Sequence, residues 1–258
     1  MVVLIVGIGL GGYVLLRLTG ERAGTLLGGV LGGLVSSTAT TVAFARRVRG
    51  APASAPFAAL VVMIASTTAL MRVLIAAAVV APVAIFHIAL PIAVLLASII
   101  VTVAVQFAVT GREAMELPKA GNPAELRPAL IFAAIYGLVT VAIAAARDWL
   151  GESGLYLVAL ISGLTDMDAI TLSTSHLMQQ NAVATDLGWR VIIIAALSNL
   201  VFKGAAAWVL GGVALGRRVA VLFGIPLIVG IVLMLAWPRT AVPVVPAAPA
   251  SNPVETVP

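Results

Sequence analysis

The sequence contains no cysteine and very little charge: none of its 258 residues is Cys, and only 10% are Asp, Glu, Lys or Arg. Without cysteine there is no disulfide framework and no thiolate metal site, and the redox compartment cannot be read from cysteine usage. Soluble domains carry about 25% charged residues, so this chain lacks the polar surface to coat a globule in water. That shortage excludes an ordinary soluble enzyme, a disordered protein and a nucleic-acid-binding module. What fills the chain is apolar: 62% of residues are hydrophobic and the mean hydropathy is +1.16. The net charge of +5 comes from basic residues scattered at the ends of apolar segments. That pattern fits lipid headgroups and membrane orientation, with no nucleic-acid partner.

A membrane-crossing helix takes roughly 20 apolar residues. Apolar segments of this kind run over 2–19, 26–45, 55–80, 83–109, 128–147, 154–178, 189–213 and 218–237. None has the ten-residue alternation of a barrel strand, so the expected fold is an all-α integral membrane protein of about eight transmembrane helices. The first segment has no basic n-region, since its first cation is Arg17, and it reads as a span rather than a signal peptide. Residues 238–258 are rich in proline and nearly uncharged, the composition of a disordered tail.

The linker at 111–127 mixes charge, Gly and Pro and divides the spans into two four-helix repeats, 1–110 and 128–237. The halves echo each other. Gly33-Leu34-Val35-Ser36-Ser37-Thr38-Ala39-Thr40-Thr41 aligns without gaps on Gly163-Leu164-Thr165-Asp166-Met167-Asp168-Ala169-Ile170-Thr171, at a spacing of about 130 residues. One span later Thr67-Thr68 with Arg72 parallels Ser198-Asn199 with Lys203, and further on Pro91 parallels Pro226. An even number of spans per half implies parallel repeats; a re-entrant segment would change that parity and make them inverted. With the N-terminus in the cytoplasm, Arg46, Arg47, Arg49, Arg112, Lys119, Arg127, Arg190 and Arg239 fall inside. Arg17, Arg22, Arg147, Arg217 and Arg218 then fall outside. The positive-inside rule thus favours a multi-pass protein of the cytoplasmic membrane with both termini cytoplasmic.

Asp166 and Asp168 lie near the middle of the sixth segment, where an ionised carboxylate costs at least about 2.5 to 3.5 kcal/mol unless paired or hydrated. Residues two apart sit about 200° apart around a helix. Either the helix opens near Gly163 or the two carboxylates serve different neighbours. An opened helix exposes backbone carbonyls and a half-helix terminus, as in many transporter ion sites. Ser36, Ser37, Thr38, Thr40 and Thr41 would add neutral oxygens from the other half, and Asn199 another; alternatively the hydroxyls bond their own backbone. Arg72 and Lys203 are the cations that could balance the carboxylates, either as structural ion pairs or as charges that exchange with a passing ion. His176 reads as interfacial or as a proton shuttle, and His87 as a packed or interfacial residue. Gly28, Gly29, Gly32 and Gly33 form two GxxxG spacings, which mark close packing within the chain or in a homodimer. No catalytic set stands out, so the chain reads as a non-enzyme.

GGLVSSTATTVAFARR at 32–47, NPAELRPAL at 122–130 and GLYLVALISGLTDMDAITLS at 154–173, with the Ser198-Asn199 to Lys203 stretch, resemble a prokaryotic membrane domain of unknown function, family number four thousand and ten. That domain is commonly fused C-terminal to an MgtC/SapB domain. The resemblance implies membrane location and fold; the fusion implies divalent-cation physiology and an MgtC/SapB-type partner. The functional expectation is a transporter or channel-like protein for a small ion, Mg²⁺ or another cation, with Asp166 and Asp168 as its ligands and no resident cofactor. The alternative is a membrane scaffold or regulatory domain whose buried charges only specify helix packing.

Overall fold

The computed structural model describes residues 25–110, 141, 154–164 and 166–238, and every element among them is helical. The first expected segment at 2–19, the linker 111–127, the segment 128–147 apart from residue 141, and the tail beyond 238 lie outside the described residues. The elements are α1 (Thr25–Gly50), a single 3-10 turn (Pro52–Ser54), α2 (Ala55–Val80), α3 (Ile85–Thr110), α4 (Gly154–Leu164), α5 (Met167–Gln179) and α6 (Thr185–Ala236). Four stretches are long and apolar enough to cross a membrane: Leu27–Gly50, Pro52–Val80, Ile88–Val109 and Thr185–Ala236.

The exterior is apolar and the interior carries the charge. Val79, Phe86, Val101, Val109, Val209, Val221 and Leu235 are exposed, whereas Arg72, Asp168 and Lys203 are buried. Water-soluble monomers rarely expose so continuous an apolar surface; lipid is the solvent that accepts it. Every backbone group at that depth must then be satisfied within the protein.

The 52-residue α6 is a helical hairpin. Arg190 Nη1 donates to Met234 O at 2.6 Å, Leu197 packs on Gly230, Gly204 faces Phe223 and Trp208 packs on Gly216. In a straight helix Arg190 and Met234 would be about 66 Å apart. The reversal falls at Gly212, with φ 76° and ψ −176°, a combination open essentially to glycine alone. The expected segments 189–213 and 218–237 are therefore two antiparallel arms joined without a loop.

The second reversal was not expected. Ser36, inside α1, has extended torsions (φ −166°, ψ 108°), and a methyl group placed on Gly32 would sit 2.6 Å from Thr40 Oγ1. In an unbroken helix those residues are about 12 Å apart along the axis. The arm 25–35 thus runs into the bundle and 37–50 runs back out. Its inward arm climbs alongside α2 in the same direction, with Gly29 against Ile64, Gly33 against Ala65 and Leu34 O against Arg72. Residues 26–45 have the composition of a span, yet they fold back on themselves at Ser36. The single straight helix expected there is a hairpin instead, because hydropathy measures how apolar a segment is and not which way it travels. The GxxxG glycines Gly29 and Gly33 serve this packing within the chain.

One end of the bundle gathers Pro52, Ala55, Gln106, Val213, Ala214, Arg217 and Arg218 around a cavity of about 650 Å³, and Gly211 approaches Ala45 O there. Arg217 and Arg218 therefore share a face with Arg46, Arg47 and Arg49, contrary to the side-by-side count made from eight simple crossings. The opposite end holds the 180–184 turn and the C-terminus of α6. Arg190 stacks 4.4 Å over the Trp189 ring, pairs with Asp186 at 3.2 Å and donates to the terminal carbonyls of Met234 and Trp237. Trp189 and Trp237 meet edge to face at 6.2 Å. Amphipathic rings with a cation at a helix C-terminus are the expected furniture of a membrane interface.

Gly212→Ala should lower the Tm of the purified protein, since the side chain imposes about 1 to 3 kcal/mol of backbone strain. Gly204→Ala, whose added methyl would meet nothing closer than Phe223 at 3.9 Å, should leave Tm nearly unchanged in the same melts.

Candidate functional site

Two helix interruptions build the centre of the molecule. Ser36 interrupts α1, and Asp166, extended at φ −155° and ψ 127°, stands between α4 and α5. Both side chains are good N-caps because a short oxygen-bearing side chain can reach the free N–H groups of the helix that follows. Asp166 Oδ1 accepts from Asp168 N at 2.9 Å, and Ser36 Oγ accepts from Ala39 N at 3.2 Å. The following turns also match: Thr41 Oγ1 donates to Ser37 O at 2.9 Å, and Thr171 Oγ1 to Met167 O at 2.7 Å. Thr40 Oγ1 donates to Ser36 O at 2.8 Å. The hydroxyls of Thr40 and Thr41 thus bond their own backbone four residues back.

Breaking a helix also frees carbonyls on the preceding arm, and each interruption meets a polar side chain from the next helix. Arg72 Nη1 donates to Leu34 O at 2.9 Å; Asn199 Nδ2 donates to Gly163 O at 3.0 Å, and Ser198 Oγ to Leu160 O at 2.6 Å. The reach is short because glycine removes the intervening side chain. A methyl group on Gly33 would sit 2.7 Å from Ala65 O, and one on Gly163 2.4 Å from Ala195 O. Both contacts are closer than a Cβ tolerates.

The charges converge where the interruptions meet. Arg72 Nη2 donates to Asp168 Oδ2, so one guanidinium ties the α1 turn to the start of α5. Lys203 is fully buried and reaches Ser66 Oγ at 3.4 Å. Asp166 is half-buried and caps α5, while Asp168 is buried against Arg72. The two carboxylates therefore serve different neighbours, and the helix is open as well. Ser37 and Thr40 are buried, and Thr38 is half-buried. Asn199 holds a backbone carbonyl. Among the described residues no three His, Cys, Asp or Glu side chains come together as a metal-ligand set. His176 is exposed at the end of α5, 3.0 Å from the Gln180 amide nitrogen, and the side chain of His87 lies outside the described residues.

Several contributing residues escaped the sequence reading. Ser66 is a lone hydroxyl in the apolar run of α2, and its polarity was the available signal. The run TLSTSH after Asp168 was another: Thr171, Ser173, Thr174 and Ser175 are all buried, and the Thr174 and Ser175 hydroxyls have no protein partner.

Asp168→Asn should be strongly destabilising, by about 3 to 5 kcal/mol, because it leaves Arg72 buried without its counter-charge. Replacing both members, Arg72→Met with Asp168→Leu, should restore much of that loss. Chemical denaturation of the single and double variants in detergent measures it, and a double variant no more stable than Asp168→Asn would refute the pairing.

The interrupted-helix core falls within residues 3–211, which match the model of a family described as Domain of unknown function (DUF4010). A protein of Aquifex aeolicus (strain VF5), described as an uncharacterized protein, is 32% identical over 90 residues, covering 35% of this chain and 39% of that protein. The chain thus aligns with only about two fifths of that relative's length. No solved structure matches. With the family model covering most of its length, the chain belongs to the DUF4010 family.

Proposed function

We propose that the protein carries a small ion across the membrane, binding it where two interrupted helices meet at mid-depth. The observation that carries this reading is the Arg72 guanidinium, which holds Leu34 O at one interruption and Asp168 beside the other. Discontinuous helices with termini and unwound backbone at the midplane are how many transporters assemble ion sites, and side chains able to exchange partners are what such a site requires. A single Mg²⁺ or other cation between Asp166 and Asp168, as well as an anion beside Arg72 and Lys203, falls within this proposal.

The architecture we propose is an inverted duplication, each half having three crossings and one re-entrant hairpin in place of four crossings. Its support is the recurrence of the Ser36 interruption at Asp166, of the Gly33–Ala65 contact at Gly163–Ala195, and of the Thr41–Ser37 bond at Thr171–Met167. Further support is direction. The α1 hairpin opens toward the face of Pro52, whereas α5 runs toward the opposite face, where the 180–184 turn lies. In this scheme α4 and α5 form the second hairpin, entering from the far side. The face bearing Arg46, Arg47, Arg49, Arg217 and Arg218 is then the cytoplasmic one, and residue 238 lies on the other side.

The second reading is a scaffold or regulatory domain, favoured by the buried Arg72–Asp168 pair, which has the form of a static packing element. In that reading a second copy of the chain or an MgtC/SapB-type protein is the partner, and no ion moves.

The natural absence of cysteine makes single-cysteine labelling clean. Ala53→Cys and Ala214→Cys should react with a membrane-impermeant maleimide from one side, and Val83→Cys and Ala184→Cys from the other; mixed sidedness within either pair would reject the topology. In proteoliposomes, wild-type protein should move at least one of Mg²⁺, Na⁺, sulfate, phosphate, succinate or protons above the empty-vesicle rate. Folded protein that moves none of them would reject transport in favour of the scaffold.

A further inference from the structure

The central site is rich in oxygen acceptors, and many of them are already occupied. Leu34 O is taken by Arg72, Gly163 O by Asn199 and Leu160 O by Ser198. Asp168 Oδ2 accepts from Arg72, and Asp166 Oδ1 accepts the first free N–H of α5. A cation entering here would find one oxygen of each carboxylate and would have to displace side chains from the rest. Mg²⁺, which demands octahedral oxygen coordination and gives up its waters reluctantly, is poorly served.

Buried donors are left unfilled as well. Arg72 Nε is buried with no partner, although both other guanidinium nitrogens are engaged. Lys203, with none of its surface exposed, has three N–H donors and one hydroxyl contact at 3.4 Å. Nearby, the arm 37–50 and α5 both begin at the interruptions, so two helix N-termini lie there, and helix N-termini favour negative charge. At the start of α5 the Asp166 carboxylate already accepts the first free N–H and Asp168 is paired with Arg72, whereas the arm 37–50 is capped only by the neutral Ser36 hydroxyl.

From these unfilled buried donors we infer that the transported ion is an oxygen-bearing anion, a carboxylate or inorganic oxyanion, held by Lys203 and Arg72 Nε beside the N-terminus of the arm 37–50. This rests on the transport reading for its physiological meaning, though the binding itself does not. Arg72 fixes the frame, and Lys203 supplies the charge that the anion neutralises.

Thermal unfolding of the purified full chain tests the inference with sodium sulfate, sodium phosphate and sodium succinate against sodium chloride of equal ionic strength, and with magnesium chloride. At least one of the three oxyanions should raise Tm with increasing concentration. Lys203→Arg should keep that rise and Lys203→Met should lose it; the methionine removes an under-paired buried charge, so the fold is expected to survive. A rise with Mg²⁺ and none with the oxyanions, no rise with any salt, or an oxyanion effect unchanged in Lys203→Met would each overturn the inference. Oxyanion binding without flux in proteoliposomes would reject transport and leave the anion site standing; flux of Mg²⁺ alone would do the reverse.

Discussion

A backbone carbonyl or amide stranded in the apolar interior of a membrane protein has no water to turn to, and that constraint organises this chain. Ser36 and Asp166 each break a helix in the apolar interior, and each break leaves carbonyls behind it and N–H groups ahead of it. The N–H groups are met by the breaking residue itself, Ser36 for Ala39 and Asp166 for Asp168. The carbonyls are met from the neighbouring helix, by Arg72 on one side and by Ser198 and Asn199 on the other. Leaving one such group unmet costs about 1 to 3 kcal/mol. Thus the polar residues of α2 and of the first arm of α6 are needed by the interruptions they face.

The same demand explains the small residues. For Arg72 or Asn199 to reach a main-chain oxygen, the helices must approach until no side chain fits between them. Gly33 against Ala65 and Gly163 against Ala195 provide that approach. In lipid, helix association gains little from the hydrophobic effect and depends on such close packing. The glycine stripe and the polar residues are parts of one device, in which the glycine lets the backbones touch and the polar side chain then closes the hydrogen bond.

Much of this was legible in the chain. Two aspartates two residues apart cannot share a ligand on an intact helix, which left either an opening near Gly163 or separate neighbours for the two carboxylates, and the structure has both, with the break at Asp166. The matching stretches 33–41 and 163–171 pointed to structural counterparts, and the cost of unpaired charge in lipid called for Arg72 or Lys203 beside Asp166 or Asp168, of which the structure pairs Arg72 with Asp168. What was not legible is direction. The turn-back at Ser36 lies in one residue's torsions and in the contact of Gly32 with Thr40, neither of which alters hydropathy. The α6 reversal at Gly212 likewise needs no polar loop. Read as one straight crossing, 26–45 puts Arg217 and Arg218 on the face opposite Arg46, Arg47 and Arg49, whereas the structure gathers Arg217 and Arg218 near Pro52, with Gly211 against Ala45 O.

Arg72 and Lys203 were paired by sequence as equivalents, and the structure separates their roles along chemical lines. A guanidinium offers a rigid fork and is always charged, which suits a group that must hold two fixed acceptors at once. Arg72 does this, with Leu34 O on one nitrogen and Asp168 on another. An ammonium is a compact point charge on a flexible stem, able to trade partners with little geometric penalty. Lys203 sits fully buried with a single hydroxyl contact, and Asn199, one turn before it, performs the carbonyl-holding task that Arg72 performs in the first half. Around Asp166 two residues thus divide what Arg72 does alone beside Ser36. Structural holding passes to a neutral amide, and the ammonium is left with one hydroxyl contact. A purely structural role gives no reason to bury an ammonium in this way, because replacing it with an apolar side chain would relieve the burial cost. In the proposed carrier the same ammonium is the group whose partner changes during the cycle.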